Sequence, residues 1–300
     1  MELIRPGTRI EFMKFRNIAF GISLALIILS ILSIFFIRGL NYGIDFQGGT
    51  EMQVGFSDPV VTEDVREVMA GLGFPDARIQ KSFGGQEENE FLIRTPKGSE
   101  TGEDMTLTIE NALKDAFGEE KVDIRRAESV GSEVSEDLKE KGFLSLFYVG
   151  IGLLIYIWWR FEFRFSIGAI MALIHDTVIT VGVFSFTGKE ITLPIIAALL
   201  TIIGYSLNDT IVVFDRIREN IKKTTGSFNL AGLLNDSISQ TLSRTILTSL
   251  TVFIVVVCLF LMGGSVIHDF AFAMIVGVVV GTYSSIFIAS PVLLLFERRK

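Results

Sequence analysis

The stretch GISLALIILSILSIFFIRGLNYGIDFQGGTEMQV (residues 21–54) passes from an unbroken apolar run to residues that alternate between apolar and polar. The run 18–37 has about the 20 residues that a helix needs to cross a bilayer. It is too long for the apolar region of a signal peptide and lacks a convincing small-residue cleavage site, so we interpret it as a retained anchor. The alternation in 49–56 predicts a β-strand. We therefore expect a membrane span that is followed at once by a folded domain.

Further apolar runs follow that domain. The chain has 300 residues, of which 49% are hydrophobic, and such a composition is typical of a membrane protein. We predict six spans, at 18–37, 143–159, 166–186, 191–214, 238–262 and 270–296. The expected regions are 1–37 with the N-terminus and first span, an inserted domain at 38–142, and a five-helix membrane domain at 143–300 that contains a loop at 215–237.

Basic residues predict the orientation of these spans. Lys and Arg are frequent before the first span, between the second and third, in 215–237 and at the C-terminus. On the opposite side, one short loop contains only Lys189 and the other, 263–269, contains neither Lys nor Arg. The positive-inside rule then places both termini in the cytoplasm and the acidic segment 38–142 outside the cell membrane.

The inserted domain shows strands and helices in the order β-α-β-β-α-β. The predicted strands are 49–56, 77–83, 90–95 and 121–130, and the predicted helices are 62–72 and 103–118. This order is the ferredoxin-like α+β pattern. Such a domain offers a sheet face and an open edge for protein contact, or it only caps the membrane part. The polar segment 132–142 is predicted to be helical and to lead into the second span.

Asp209 lies before the end of the fourth apolar run, in GYSLNDTIVVFDRIREN (204–220). An ionised carboxylate at this depth costs several kcal/mol unless it has a partner, and such groups are functional candidates by default. We interpret Asp209 as a group that can load and release a proton. The alternative is a statically paired aspartate near a helix end.

Arg244 is the expected partner of Asp209. It lies about seven residues into the fifth span, which runs antiparallel to the fourth, so the two residues should have similar depth. Nearby hydroxyls suggest a face that meets water or another helix, not lipid. The alternative is that Arg244 only anchors the helix at the membrane surface.

The third and sixth spans carry stripes of small or polar residues. In the third span, Asp176 lies in such a stripe and is a weaker candidate for a proton relay, or a polar latch between helices. His175 is expected to point about 100° away from it, which favours a packing role. Gly277 and Gly281 in the sixth span form a small-xxx-small motif that predicts close helix packing.

GIDFQGGT (43–50) precedes the first predicted strand. Gly48 and Gly49 allow backbone conformations that are closed to other residues, so a tight turn or bulge is expected, and Asp45 is placed to cap it. We interpret this motif as one that docks the inserted domain on the membrane part.

Several chemistries find no support in the sequence. The one cysteine, Cys258, excludes a disulfide within the chain. His175 and His268 are far apart in sequence, and no Cys/His cluster has the spacing of metal ligands. P-loop and nucleophile-elbow motifs are not present. We expect no enzymatic activity, no cofactor, no metal and no nucleic-acid partner.

These motifs together resemble a known family. NYGIDFQGGTEM (41–52), ALIHDTVIT (172–180), GYSLNDTIVVFDRIREN and the hydroxyl-rich segment around Arg244 are similar to signatures of the SecF family of protein-export membrane proteins. The topology, with a domain after the first of six spans, resembles half of a membrane pump of the RND superfamily. The resemblance covers essentially the whole chain.

The resemblance implies a function and partners. It implies a subunit in the bacterial cytoplasmic (inner) membrane that pairs with SecD and uses the proton-motive force to assist late, ATP-independent movement of unfolded preproteins through SecYEG, with YajC as a further candidate partner. It also implies roles in proton passage for Asp209 and Arg244, and a further relay aspartate in SecD. A small-molecule or lipid transporter half and a non-conducting translocon scaffold are the alternatives.

Overall fold

The computed structural model describes residues 8–81, 89–95, 103–224 and 229–296. Six helical segments in this part of the chain are long and apolar enough to cross a membrane, which confirms the six predicted spans. They comprise α1 (Arg16–Leu32), α5 (Ser132–Arg160), α6 (Phe163–Thr187), α7 (Leu193–Lys223), α8 (Leu230–Met262) and α9 (Gly264–Ser284). A 3₁₀ turn (Phe12–Phe15) precedes α1, and π turns follow α1 (Ser33–Ile37) and α9 (Ser285–Ala289).

A small α+β domain lies between α1 and α5. Its elements are β2 (Gly49–Phe56), α3 (Thr62–Gly71), β3 (Arg78–Lys81), β4 (Glu90–Thr95), α4 (Glu103–Phe117) and β5 (Val122–Val130). The antiparallel sheet has the order β3-β4-β2-β5, which is the ferredoxin-like arrangement that the sequence predicts. Alternate strand residues such as Met52 and Ile93 point toward the helices and form the core with Val65 and Ile109.

Short elements connect the α+β domain to the membrane helices. The turn α2 (Ile44–Gln47) follows a two-residue strand β1 (Asn41–Tyr42), and β1 pairs in parallel with β6 (Glu190–Ile191) in the loop between α6 and α7. The predicted polar helix at 132–142 is the first part of α5, continuous with the second span.

The structure corrects the prediction of a loop at 215–237, because most of this range is helical. Helix α7 continues to Lys223 and helix α8 begins at Leu230, so 215–223 and 230–237 are helical, and 225–228 lie outside the described residues. Leu233 and Leu234 are buried against the other helices. Charged residues made this region look like a loop, but solvent-exposed helical turns beyond the bilayer tolerate charges as well as loops do.

Two apolar clusters fill the helix bundle. One, near the end of the bundle that faces the α+β domain, includes Phe184 and Ala273. The other, toward the opposite end, includes Ala172 and Ala289. Along α6 and α9, polar residues occupy the positions between these two clusters. The fold therefore places a polar layer inside the membrane domain.

Candidate functional site

Asp176 is the centre of the polar layer on α6, and its side chain is only 1% exposed. Its Oδ2 atom accepts hydrogen bonds from Ser206 Oγ on α7 and, at 2.8 Å, from Ser284 Oγ on α9. Its Oδ1 atom lies 2.8 Å from His175 Nδ1. A carboxylate that is held by three groups from three helices fixes how those helices pack.

Asp209 on α7 forms the second part of the layer and is 6% exposed. It accepts a hydrogen bond from Thr245 Oγ1 of α8 at 2.7 Å and another from Ser285 Oγ, the first residue of the π turn after α9. Both of its carboxylate oxygens are thus bound by hydroxyl groups. A buried carboxylate needs such donors when no cation neutralises it.

The two aspartates are joined through consecutive serines. Ser284 donates to Asp176 and Ser285 donates to Asp209, so one dipeptide contacts both carboxylates. The change from α-helix to π turn begins at Ser285, and π turns inside helices are frequent at functional sites. The wider turn lets two adjacent side chains reach groups on different helices.

Glycines allow α9 to approach α7 closely at this layer. A Cβ atom on Gly277 would lie 2.3 Å from Ile202 Cγ1, and one on Gly281 would lie 3.1 Å from Ser206 Cβ. Gly168 of α6 similarly faces the carbonyl oxygen of Ala289, with 2.7 Å to an added Cβ. The absence of side chains at these positions brings the serines of α9 within reach of the aspartates.

Arg244 does not form the direct pair with Asp209 that the sequence suggested. Both residues belong to the described part of the chain, and no direct ion pair joins them; the neighbouring Thr245 makes the contact, and Arg244 interacts with Asp209 only electrostatically at longer range. Arg244 is exposed on the outside of α8. The predicted similarity of depth is correct, but the antiparallel crossing turns Thr245, one position further along the helix, toward Asp209.

The direction of the His175 side chain also differs from the expectation. Its ring bonds directly to Asp176, and its Nε2 atom lies 3.0 Å from Ser23 Oγ on α1. Ser23 in turn contacts the hydroxyl of Tyr283, which donates to the carbonyl oxygen of Ala19. The expected 100° separation applies to Cα–Cβ directions, whereas the imidazole is long enough to turn back to the adjacent carboxylate. Polar contacts therefore extend from Asp176 to the first span.

The glycine motif GIDFQGGT (43–50) lies at the junction between the membrane helices and the α+β domain. Gly48 and Gly49 have φ values of +74° and +126°, as the expected turn requires. Asp45 does not cap that turn: its Oδ2 atom accepts a hydrogen bond from the backbone N–H of Leu193, at the beginning of α7, at 2.8 Å. Sequence distance hid this contact, because the two residues lie 148 positions apart.

Ser284 and Ser285 were missed in the sequence, although each donates a hydrogen bond to one of the two aspartates. Ser206 lies about one turn before Asp209 on α7 but bonds to Asp176. A signal was present in GTYSSIF (281–287), where four hydroxyl residues interrupt an apolar span. In the described part of the chain, no group of three or more His, Cys, Asp or Glu side chains could hold a metal ion. The site is therefore built from carboxylates, hydroxyls and one imidazole.

Comparison with known proteins assigns the chain to a family. A family model described as "Protein export membrane protein SecD/SecF, C-terminal" matches residues 108–299, and one described as "SecD/SecF GG Motif" matches residues 33–60. The chain belongs to the SecD/SecF family. The second match contains the glycine motif that joins the α+β domain to α7, and the first contains both buried aspartates.

Named relatives and solved structures agree with this assignment. Proteins named "Protein translocase subunit SecF" are 48% identical in Magnetococcus marinus, over 100% of this chain and 97% of the relative, and 46% identical in Calditerrivibrio nitroreducens, over 99% and 97%. The crystal structure of SecDF from Thermus thermophilus, titled a translocon-associated membrane protein, matches with a TM-score of 0.86 and 38% identity over 98% of this chain.

The match to SecDF also shows a difference in length. This chain spans 39% of that SecDF chain, and 40% of a second SecDF structure in a "Super-membrane-facing form", which matches with a TM-score of 0.68 and 36% identity. The predicted SecF family, the six-span membrane architecture and the α+β domain after the first span are confirmed.

Proposed function

We propose that this chain is the SecF-type subunit of a protein translocase. Together with a SecD partner it uses the proton-motive force to assist late, ATP-independent movement of unfolded preproteins through SecYEG, with YajC as a further candidate partner. In this proposal the chain lies in the bacterial inner membrane, with both termini in the cytoplasm and the α+β domain outside. It catalyses no reaction of its own.

The observation that carries the proposal is the pair of buried aspartates, which no Lys or Arg side chain contacts directly among the residues that the structure describes. In the described part of the chain, Asp209 is held only by hydroxyl groups, and Asp176 by two hydroxyls and an imidazole. An ionised carboxylate in a membrane interior is costly, and such residues mark ion pathways and proton relays. Proton uptake removes that cost and changes the hydrogen bonds that the group can make.

The hydrogen-bond geometry supports a switch on protonation. An ionised carboxylate only accepts hydrogen bonds, whereas a protonated one also donates. Ser285 Oγ lies 3.1 Å from the carbonyl oxygen of Thr282, and Ser284 Oγ lies 3.1 Å from that of Gly281. Each serine can therefore turn its hydrogen away from the aspartate and become an acceptor, so the contact between α9 and its neighbours has two arrangements.

The length comparison supports a SecD partner. The SecDF chains contain a large part beyond the region that this chain matches. Arg244 is exposed at about the depth of Asp209 in this chain alone, and a charge facing lipid at that depth is unfavourable. A second membrane protein that covers this side of α8 removes that cost. No observation favours a small-molecule transporter.

The experiment uses vesicles that contain this chain, SecD and the translocon. We would measure completion of preprotein translocation with and without an imposed proton gradient, for wild type, Asp209→Asn and the control Asp215→Asn. Asp215 lies on the same helix, six residues further on, in a surface ion pair with Arg160.

The proposal predicts that the gradient stimulates wild type and Asp215→Asn but not Asp209→Asn, with all three assembled equally. Equal stimulation of Asp209→Asn and wild type would make the buried aspartate a packing latch. The non-conducting scaffold would then be the better description.

A further inference from the structure

The beginning of α7 is capped by a residue from outside the helix and far away in the chain. The first N–H groups of a helix lack partners within it and are usually satisfied by the side chain at the N-cap. Thr192 occupies this position but makes no capping hydrogen bond with its side chain. Asp45, which directly precedes the α+β domain, supplies the acceptor for the N–H of Leu193 instead.

Backbone pairing between β1 and β6 holds the same part of the chain, directly before α7. Asn41 and Tyr42 of β1 lie opposite Glu190 and Ile191 of β6, and the N–H of Gly43 donates to the carbonyl oxygen of Ile191 at 2.9 Å. A Cβ atom on Gly43 would lie 2.6 Å from Thr192 Cγ2. Any larger residue at this position would have to displace the Thr192 side chain.

Glu190 connects the same loop to the sheet of the α+β domain. Its side chain is buried, and its Oε1 atom pairs with Arg78 of β3 at 3.0 Å and with Arg94 of β4. Arg94 also pairs with Glu51 of β2. Arg94 and Glu190 are both largely buried, and removal of one partner from a buried ion pair leaves an uncompensated charge, so this contact resists separation.

These contacts all meet at the N-terminal end of the helix that carries Asp209. Helix α7 runs without interruption from Leu193 to Lys223. Asp209 is 16 residues beyond Leu193, which is about 24 Å along the helix at 1.5 Å per residue. A displacement or tilt of α7 at the polar layer therefore also moves the N-terminal end of the helix, where the α+β domain is attached.

We propose that β1, β6, Asp45 and Glu190 form a rigid joint that stays closed throughout the working cycle and transmits movement of α7 to the α+β domain. Asp45 and Glu190 are positioning residues for this coupling. The inference rests on the proposed function, because it assigns the route by which protonation in the membrane reaches the domain outside it.

The first test separates coupling from folding by means of the residue at position 45. In the vesicle assay, Asp45→Ala should lose most of the stimulation by the proton gradient and keep the ATP-driven rate. Asp45→Asn should retain the stimulation, because an amide oxygen accepts the same hydrogen bond. Asp76→Ala, which removes an exposed carboxylate beside a cleft that Tyr42 and Glu190 also line, is the control and should behave as wild type.

A structural readout accompanies this assay. Hydrogen exchange of the Leu193 amide should be faster in Asp45→Ala than in wild type, and it should be near the wild-type rate in Asp45→Asn. Full stimulation of Asp45→Ala together with faster exchange would show that the cap is lost without consequence, and would overturn the proposal. Loss of stimulation in Asp45→Asn with normal exchange would assign Asp45 a role other than capping, and would overturn it as well.

The second test asks whether the joint opens. Tyr42→Cys and Ile191→Cys, combined with Cys258→Ser, place two cysteines at directly paired positions of β1 and β6. The oxidised, cross-linked protein should be stimulated by the gradient as strongly as the same variant when reduced. Loss of stimulation on oxidation would show that the two strands must separate, and would overturn the proposal of a permanent joint.

The two proposals fail differently. If the gradient stimulates wild type but the Asp45 variants and the cross-linked protein all match it, the joint has no role in coupling and the proposed function survives. If the gradient does not stimulate wild type in the complete assembly, the proposed function is wrong, and the coupling role of the joint is wrong with it.

Discussion

Substitution of Gly277 by alanine should weaken the hydrogen bonds of the polar layer, because it pushes α9 away from α7. The added Cβ atom would lie 2.3, 2.5 and 2.7 Å from three atoms of the buried Ile202 side chain. Ordinary contacts between such atoms begin at 3.4 Å, so the helices must separate locally by roughly 1 Å, or Ile202 must leave its rotamer. Overpacking of this kind costs about 1–3 kcal/mol.

The displacement reaches the site because Ser284 lies seven residues, or about two turns, beyond Gly277 on the same face of α9. A shift of about 1 Å would lengthen the 2.8 Å hydrogen bond between Ser284 and Asp176 beyond hydrogen-bonding range. Hydrogen bonds between membrane helices contribute about 0.6 kcal/mol on average and at most about 1.7. We therefore expect Gly277→Ala to lose about 2–4 kcal/mol of stability, together with most of the gradient stimulation.

Thermal unfolding in detergent and gradient-driven translocation in vesicles would measure the two effects. Gly204→Ala is the matched control, because a Cβ atom on this glycine of α7 meets nothing within 4 Å. Alanine there should leave translocation unchanged and stabilise the helix by about 0.5–1 kcal/mol. The combination of Ile202→Ala with Gly277→Ala removes the clashing atoms and should restore part of the stimulation. Wild-type stability and stimulation in Gly277→Ala alone would refute the argument from close packing.

Three further predictions concern single contacts. Thr245→Val keeps the shape of the side chain but removes the donor to Asp209; we expect a loss of about 1 kcal/mol and reduced gradient stimulation, and full stimulation in vesicles would contradict this. Leu113→Ala in the core of the α+β domain should destabilise that domain to urea by about 2–5 kcal/mol, whereas Leu107→Ala, at an exposed position, should change stability by less than about 0.5 kcal/mol. Asn229→Ala removes the acceptor for two N–H groups at the beginning of α8. We expect this end of the helix to lose about 1 kcal/mol of stability, so hydrogen exchange of these amides should become faster. An unchanged exchange rate would show that the cap contributes nothing.

The sequence predicted those features that depend on local periodicity. Apolar runs of bilayer length located all six spans. Alternation and helical spacing predicted the strand and helix order of the α+β domain, and the β4 range 90–95 agrees with the structure at both ends. In both cases the pattern repeats within one element, so no knowledge of a distant partner is needed.

Contacts between distant residues could not be predicted in this way. Asp45 looks like a cap for its own turn, and only the fold shows that it caps α7. Arg244 looks like the partner of Asp209 because opposite charges attract, but the rotation of α8 about its axis, which no local pattern reports, directs Thr245 inward. The serines of α9 carried too little signal individually, since single hydroxyl residues are common in membrane helices.

The choice of hydroxyl partners for the buried aspartates bears on how such a site works. If Arg244 paired directly with Asp209 in a dry interior, protonation of the aspartate would leave an uncompensated arginine, and that is strongly unfavourable. Hydroxyl groups both donate and accept, so Ser285 satisfies Asp209 in either protonation state by rotating about one bond. Its alternative acceptor, the carbonyl oxygen of Thr282, lies 3.1 Å away. The layer can therefore change its charge while the Ser285 hydroxyl keeps its partners, and the two states differ in whether the serine or the aspartate donates the hydrogen bond between them.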